Sequence, residues 1–350
     1  MPDRRSRLRA SFAQIGERVL SHTERRRTLI ALAALSCGPS PGRAQQPIAS
    51  VPRIGFLGVS TPEAWTTRVN AFRAGLRDLG YAEGKNIAIE FRFAQGQYDR
   101  LPELAAELVR LKVDVIVTHS APGALAAKHA TATDRTPVVM TNVSDALGAG
   151  IVASLARPGG NVTGDTFFVP ELAAKRLELL KVAFPRLRRV AVLANPDNPG
   201  NLPALQAMQV AAKELNVALV RCDVRSLADM DGALAAVANE NVDALAIVED
   251  IVLIQNHRRI AESAIKQRLP SISFVEYADS GGLFGYGANY LALYRRSAVF
   301  VDKILKGAKP SDIPIERPTT FEFVVNTKTA KALGLSLTSA ILLRTDRQVE

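Results

Sequence analysis

The residues best equipped to hold a small molecule in this 350-residue chain sit just beyond short apolar runs. Thr141-Asn142-Val143-Ser144-Asp145 follows Val138-Val139-Met140. A carboxylate at Asp145 suits a ligand ammonium, because a charge-assisted hydrogen bond is stronger than a neutral one. The same residue equally suits a cap on a helix starting near Leu147. Thr141 and Asn142 offer neutral donors and acceptors, or plain turn chemistry. Ser60 and Thr61 precede Pro62, which fits a first helical turn whose free N–H groups attract a carboxylate; the alternative is an ordinary N-cap. Ser120 and Ala121 stand before another helix start. Trp65, the one tryptophan of the chain, is either a stacking wall or helix packing. Further along, the amides of Asn195 and Asn198 could cap a ligand or merely shape a Pro-Asx turn. Glu249 and Asp250 end another apolar run, facing either a ligand or solvent. Tyr277 is an aromatic wall with a polar tip, or a packed loop residue.

The elements that position these residues follow from hydrophobic spacing. Arg53 to Gly58 reads as a buried strand. Glu63 to Leu79 has the 3.6-residue spacing of a helix. Strand Asn86 to Phe93, helix Tyr98 to Leu111, a strand at Val113 to Val117, helix Pro122 to Ala132 and strand Pro137 to Met140 complete the first half. The second half repeats the pattern: strand Arg189 to Leu193, helix Asn201 to Leu215, strand Val217 to Cys222 and helix Met230 to Asn239. Strand Val242 to Ile247, helix Leu253 to Gln267 and a strand opening on Pro270 follow. Gly150 to Ala156 reads as a scaffold helix. Arg157 to Gly164 and Gly281 to Gly287 read as crossings between the halves. Leu291 to Lys306 and Thr327 to Leu333 read as helices, and Phe321 to Asn326 as a strand. Strands alternating with helices imply parallel sheets covered on both faces. The predicted fold class is therefore α/β, two doubly wound, Rossmann-like lobes with a cleft between them and a multi-strand hinge. The first lobe is expected over 53–163 with part of 288–318 and, as a variant, the C-terminus, and the second over 164–287 with part of 319–335. Ligands of such sheets bind beyond the carboxyl ends of the strands, where the polar residues above are found.

Charge adds little to this picture. The formal net charge is +10, but residues 1–44 carry nine Arg against three acidic residues. The high pI thus belongs largely to the N-terminus and does not point to nucleic acid. That N-terminus has the layout of a secretory signal peptide: Arg25-Arg26-Arg27, a short apolar run from Thr28 to Leu35, then small residues up to Ala44. Residues 1–44 are expected to be a leader, giving a periplasmic protein. Anchoring as a lipoprotein through Cys37 is the less favoured variant, and a twin-arginine route stays open.

Three longer stretches resemble a known family. They are Gly150-Ile151-Val152-Ala153-Ser154-Leu155-Ala156-Arg157-Pro158-Gly159-Gly160-Asn161-Val162-Thr163-Gly164, then Tyr294-Arg295-Arg296 with Val301 to Pro310, and Lys328 to Leu335. With them the chain resembles, over 53–350, the substrate-binding proteins of ABC transporters whose better-known members bind tryptophan or tyrosine. The family usually has Pro after the aspartate matched by Asp145; here Ala146 stands there. The resemblance implies a type I periplasmic-binding fold and an extracytoplasmic receptor that delivers a small solute to a membrane permease. A monomer is expected, and the alternatives are a ligand-sensing domain of a signalling system and, less favoured, a two-lobed Rossmann-like enzyme. Enzyme chemistry has no foothold in the sequence: G-x-S-x-G, a P-loop and G-x-G-x-x-G after the first strand are all missing. The four His residues lack metal-ligand spacing. No cofactor and no metal are expected.

Overall fold

The computed structural model describes residues 51–167 and 169–350. The expected leader, its cut after Ala44 and Cys37 lie outside the described residues. The first half forms β1 (Arg53–Gly58), α1 (Pro62–Asp78), β2 (Ala88–Phe93), α2 (Leu101–Arg110), β3 (Val115–His119), α3 (Ser120–Ala130), β4 (Val138–Val143) and β5 (Val162–Thr166). Its sheet has the order β2-β1-β3-β4-β5, with every pair parallel. Right-handed crossovers then put α1 on one face and α2 and α3 on the other.

The second half runs α4 (Val169–Ala183), β6 (Arg189–Ala194), α5 (Asn201–Glu214), β7 (Ala218–Asp223), α6 (Met230–Asn239) and β8 (Ala244–Ile247). It continues with α7 (Ile251–Gln255), α8 (His257–Lys266), β9 (Ser271–Ser273), α9 (Val275–Asp279) and β10 (Phe284–Gly287). Then come α10 (Tyr290–Leu305), β11 (Glu322–Asn326), α11 (Thr327–Ala332), α12 (Ser339–Leu342) and β12 (Arg347–Val349). The second sheet has the order β12-β11-β10-β9-β8-β6-β7. The run from β10 to β7 copies the first sheet; β11, antiparallel to β10, and β12 extend it. The C-terminal strand thus lies on the edge of the second sheet and not in the first lobe.

The halves exchange helices. After β5 the chain enters the second lobe, where α4 packs on α5 and against β8, β9 and β10. After β10 it returns, and α10 packs on α1 and against β3, β4 and β5. Gly75 allows that second contact: a Cβ there would lie 2.1 Å from the Arg295 carbonyl oxygen. A third passage follows Glu316, whose N–H donates to Gly164 O at 2.9 Å beside β5, before the chain reaches β11. Three neighbouring connections can bend together without unfolding either lobe.

Four expectations change. Arg157 to Gly164 is not a crossing, because Val162–Thr166 pairs with β4 as the edge of the first sheet. Gly281 to Gly287 is not one either, since Phe284–Gly287 pairs with β9 and β11. Gly150 to Ala156 forms no helix; a turn at 146–150 leads into irregular chain. The expected helix from Leu253 to Gln267 is two helices, α7 and α8, meeting at Asn256.

Candidate functional site

The carboxyl ends of the two sheets face one another across a narrow cleft. Trp65, His119, Ser120, Ala121, Asn142, Ser144 and Phe167 line it from the first-lobe side. Asn198, Glu249, Asp250, Ile251 and Ile254 face them from the second, with Tyr290 at the start of α10. A wider groove of about 1780 Å³, with Lys181, Arg186, Arg188 and Lys213 on its walls, lies at the other end of the second lobe, where β6 and β7 begin. It is open surface, whereas the smaller cleft is where buried polar groups converge.

On the first lobe, two lining residues hold left-handed backbones: Ser120 at φ 60° and Asn142 at φ 54°. Outside glycine this conformation is uncommon, and such strain gathers at ligand sites. Ser120 Oγ and Asn142 Oδ1 are both buried without a hydrogen-bond partner among the described residues. Such groups are costly unless something bonds them. Ser120 opens α3, whose N-terminal N–H groups lack a side-chain cap. Asn142 lies where the β4–β5 register shifts between Met140 and Val143. Asp165 on β5 fixes that irregularity, accepting from Asn142 N at 2.8 Å and from Thr141 Oγ1 at 2.8 Å. Burial pushes the Asp165 carboxyl up to about 7, against the pull of those two donors.

The aromatic wall is ordered from behind. Trp65 stacks on His119 with ring centroids 4.6 Å apart, and its Nε1 donates to Tyr294 Oη at 2.9 Å. Arg68 covers the Trp65 ring at 4.5 Å. His119 Nε2 accepts from Val59 N at 3.0 Å. Burial, helped by the Arg68 guanidinium, pushes His119 down to about 3, so the imidazole is neutral. Across the cleft, Phe274 and Phe167 pack on Tyr290.

The second lobe brings two carboxylates, both satisfied. Glu249 is 5% exposed and paired with the buried Arg176, whose Nη1 donates to it at 2.6 Å and whose Nη2 bonds its other oxygen. Tyr290 Oη donates to the same group at 3.1 Å. Asp250 is 2% exposed and accepts from Asn195 Nδ2 (3.1 Å), Asn198 Nδ2 (3.0 Å), Val252 N (2.9 Å) and Tyr98 Oη (2.6 Å). Burial raises its carboxyl above the ordinary range, against those donors.

Of the residues picked out from the sequence, Trp65, Ser120, Ala121, Asn142, Asn198, Glu249 and Asp250 line the cleft. The others stand behind or away from it. Asp145 caps the turn at 146–150, accepting from Leu147 N and Gly148 N at 3.1 and 2.9 Å. Thr61 caps α1 through Ala64 N, and Thr141 is turned to Asp165. Ser60 accepts from Gln255 Nε2 of the other lobe. Asn195 steadies Asp250. Tyr277 is no wall of the cleft: it is buried in α9 and its hydroxyl donates to Ser271 Oγ at 2.8 Å. His119 and Ser144 lie in loops that sequence reasoning put at the cleft without singling them out; it passed over Phe167, Ile251, Ile254 and Tyr290. His119 ends an apolar strand next to Ser120, which was a usable signal; Tyr290 is brought in only by the return of the chain to the first lobe.

Two lobes of matching topology, joined by neighbouring connections and closed on a part-polar cleft, define a type I periplasmic-binding protein. The family model described as ABC transporter substrate binding protein matches residues 58–349, and the chain belongs to that family. It is a solute-binding component of an ABC transporter. It is 29% identical over 270 residues to a tyrosine-binding protein of Clostridioides difficile (strain R20291), covering 77% of each chain. Among solved structures, a conserved domain protein from Vibrio cholerae superposes with a TM-score of 0.80 at 26% identity, covering 85% of this chain and all of that one. The ABC domain from Streptococcus pneumonia in complex with L-Trp gives 0.77 at 24% identity, with the same coverage.

Proposed function

We propose that this protein is an exported, monomeric receptor that takes an amino acid, or a small zwitterion of similar size, and presents it to its permease. The observation that carries the reading is the pair of unpartnered polar atoms, Ser120 Oγ and Asn142 Oδ1, in one cleft. The uncapped start of α3 beside Ser120 suits a carboxylate. The Asn142 carbonyl suits an ammonium. Trp65, Phe167 and Tyr290 suit an apolar or aromatic body. Among the described residues no Lys or Arg lines the cleft, which disfavours dianionic solutes. The C. difficile relative, by its name a tyrosine-binding protein, supports the same class. Binding and release need no bond chemistry, so the reading assigns no catalytic residue. The basic, then apolar, N-terminal stretch supports export to the periplasm.

A thermal-shift screen of the amino acids tests this. A ligand at a hundredfold excess over Kd adds about 2.7 kcal/mol of apparent stability, a clear rise in Tm. Melting curves unmoved by every amino acid would sink the proposal.

A further inference from the structure

Tyr98 and Asp250 come from different lobes. Tyr98 follows β2 in a 3-10 turn, Tyr98–Arg100, at the rim of the first lobe. Asp250 follows β8 in the second and caps α7. Their 2.6 Å hydrogen bond spans the mouth of the cleft. At the far end of α7, Gln255 Nε2 reaches Ser60 Oγ. The two first-lobe partners belong to one rim, since Gln95 N donates to Ser60 O and Gly96 N to Val59 O. One short helix of the second lobe therefore touches the first lobe at both ends.

An ionised carboxylate offers about four acceptor positions. Those of Asp250 are filled: Asn195 and Val252 on Oδ1, Asn198 and Tyr98 on Oδ2. Glu249 has the Arg176 guanidinium beside it; Asp250 has only neutral donors. Three of the four come from its own lobe and stay when the lobes part. The fourth, Tyr98, is the one that opening removes. We propose that Tyr98 is the residue that turns lobe closure into ligand affinity, by donating to Asp250 as a latch, and that Asp250 serves the latch and makes no bond to the ligand. This rests on the receptor reading above. It differs from a ligand contact in one respect: the latch lengthens the bound state for any solute that fits and leaves selectivity unchanged.

The charge-assisted character of the bond sets the size of the effect. Titrating L-tyrosine by calorimetry, Tyr98→Phe raises Kd about tenfold through a faster off-rate, with the on-rate kept. Asp250→Asn has a similar effect, and the double variant is no weaker than the worse single one. Penalties that multiply in the double variant overturn the latch. A ligand-free arm keeps the question open to decision if the wild type ignores L-tyrosine, which would tell against the amino-acid reading alone. In small-angle X-ray scattering of the free protein, Tyr98→Phe then gives a larger radius of gyration than wild type. An unchanged radius overturns the proposal.

Discussion

The two lobes share a strand order yet meet the cleft in opposite states. On the first lobe, Ser120 and Asn142 hold strained backbones and leave buried polar atoms without partners. On the second, Glu249 and Asp250 are buried more deeply than either, and their oxygens are occupied by Arg176, Tyr290, two asparagine amides, a backbone N–H and Tyr98. Repeating a topology places loops; it does not decide what those loops are for. One set is left ready for hydrogen bonds from outside, and the other is arranged so that charge can be buried at all. On the function proposed above, such a cleft would bind by neutral hydrogen bonds on one side and close with a pre-satisfied surface on the other.

The largest effect is expected where the second lobe buries its ion pair. Arg176→Met leaves Glu249 without its cation, and loss of one partner of a buried pair costs about 3–5 kcal/mol. Urea unfolding should show it; a midpoint unchanged from wild type would mean that the second lobe does not depend on internal pairing. Next comes the seam. Gly200 stands at the start of α5, and a Cβ there would lie 1.9 Å from Ser144 Oγ of the first lobe. Gly200→Ala should therefore keep the lobes apart or displace Ser144 from the cleft, weakening binding of the screen's best ligand about tenfold with little change in Tm. If affinity holds, the seam is looser than drawn here.

Ser120→Ala sharpens the contrast further. It removes a hydroxyl that has no partner among the described residues, so binding should fall by about 1 kcal/mol, roughly fivefold, while stability stays level or rises. A stability loss without a binding loss would reverse the roles given to the two lobes.

The smallest net effect is in pH, because the two first-lobe groups oppose each other over most of their range. Burial holds Asp165 at about 7, above its ordinary 3.8, so the folded protein keeps a proton the unfolded chain has lost. Its contribution to stability is full below about pH 4 and is lost as pH rises through about 7. His119, pushed down to about 3, refuses a proton that the unfolded chain takes up below about 6.5. Its contribution is present above about 6.5 and is lost as pH falls towards 3. Each is worth up to about 1.4 kcal/mol per pH unit inside its window. In Tm-versus-pH curves, Asp165→Asn should remove the decline between pH 5 and 7 due to the first group. An identical curve for variant and wild type would remove Asp165 from the account.

Much of this protein was legible from the order of its residues. Runs such as Ile54 to Leu57 and Val190 to Leu193 are apolar without alternation, which only a sheet covered on both faces explains. Repeating them with helices between imposed two lobes and put a cleft at the strand ends. Seven cleft residues followed from that rule alone. Strand β5 escaped because Val162-Thr163-Gly164-Asp165-Thr166 has neither alternation nor a continuous apolar run. Its pairing comes from β4 on one side and Glu316 on the other.

What a side chain does there was decided only in three dimensions. Asp145 has the chemistry of an ammonium ligand, but its nearest free donors are the N–H groups of its own turn, and local bonds form first. Glu249 has the same chemistry, yet Arg176 arrives from a helix 73 residues earlier in the chain and neutralises it. Asn142 faces the cleft with an open carbonyl because Asp165, from another strand, holds its backbone in the left-handed region. The sequence by itself determined the fold and the place of the cleft, because apolar periodicity is a local property of the chain; the family came from the resemblance carried by Gly150 to Gly164, Tyr294 to Pro310 and Lys328 to Leu335. The tertiary structure decided which polar groups remain free, because hydrogen bonds saturate and each partner arrives from a distant part of the chain.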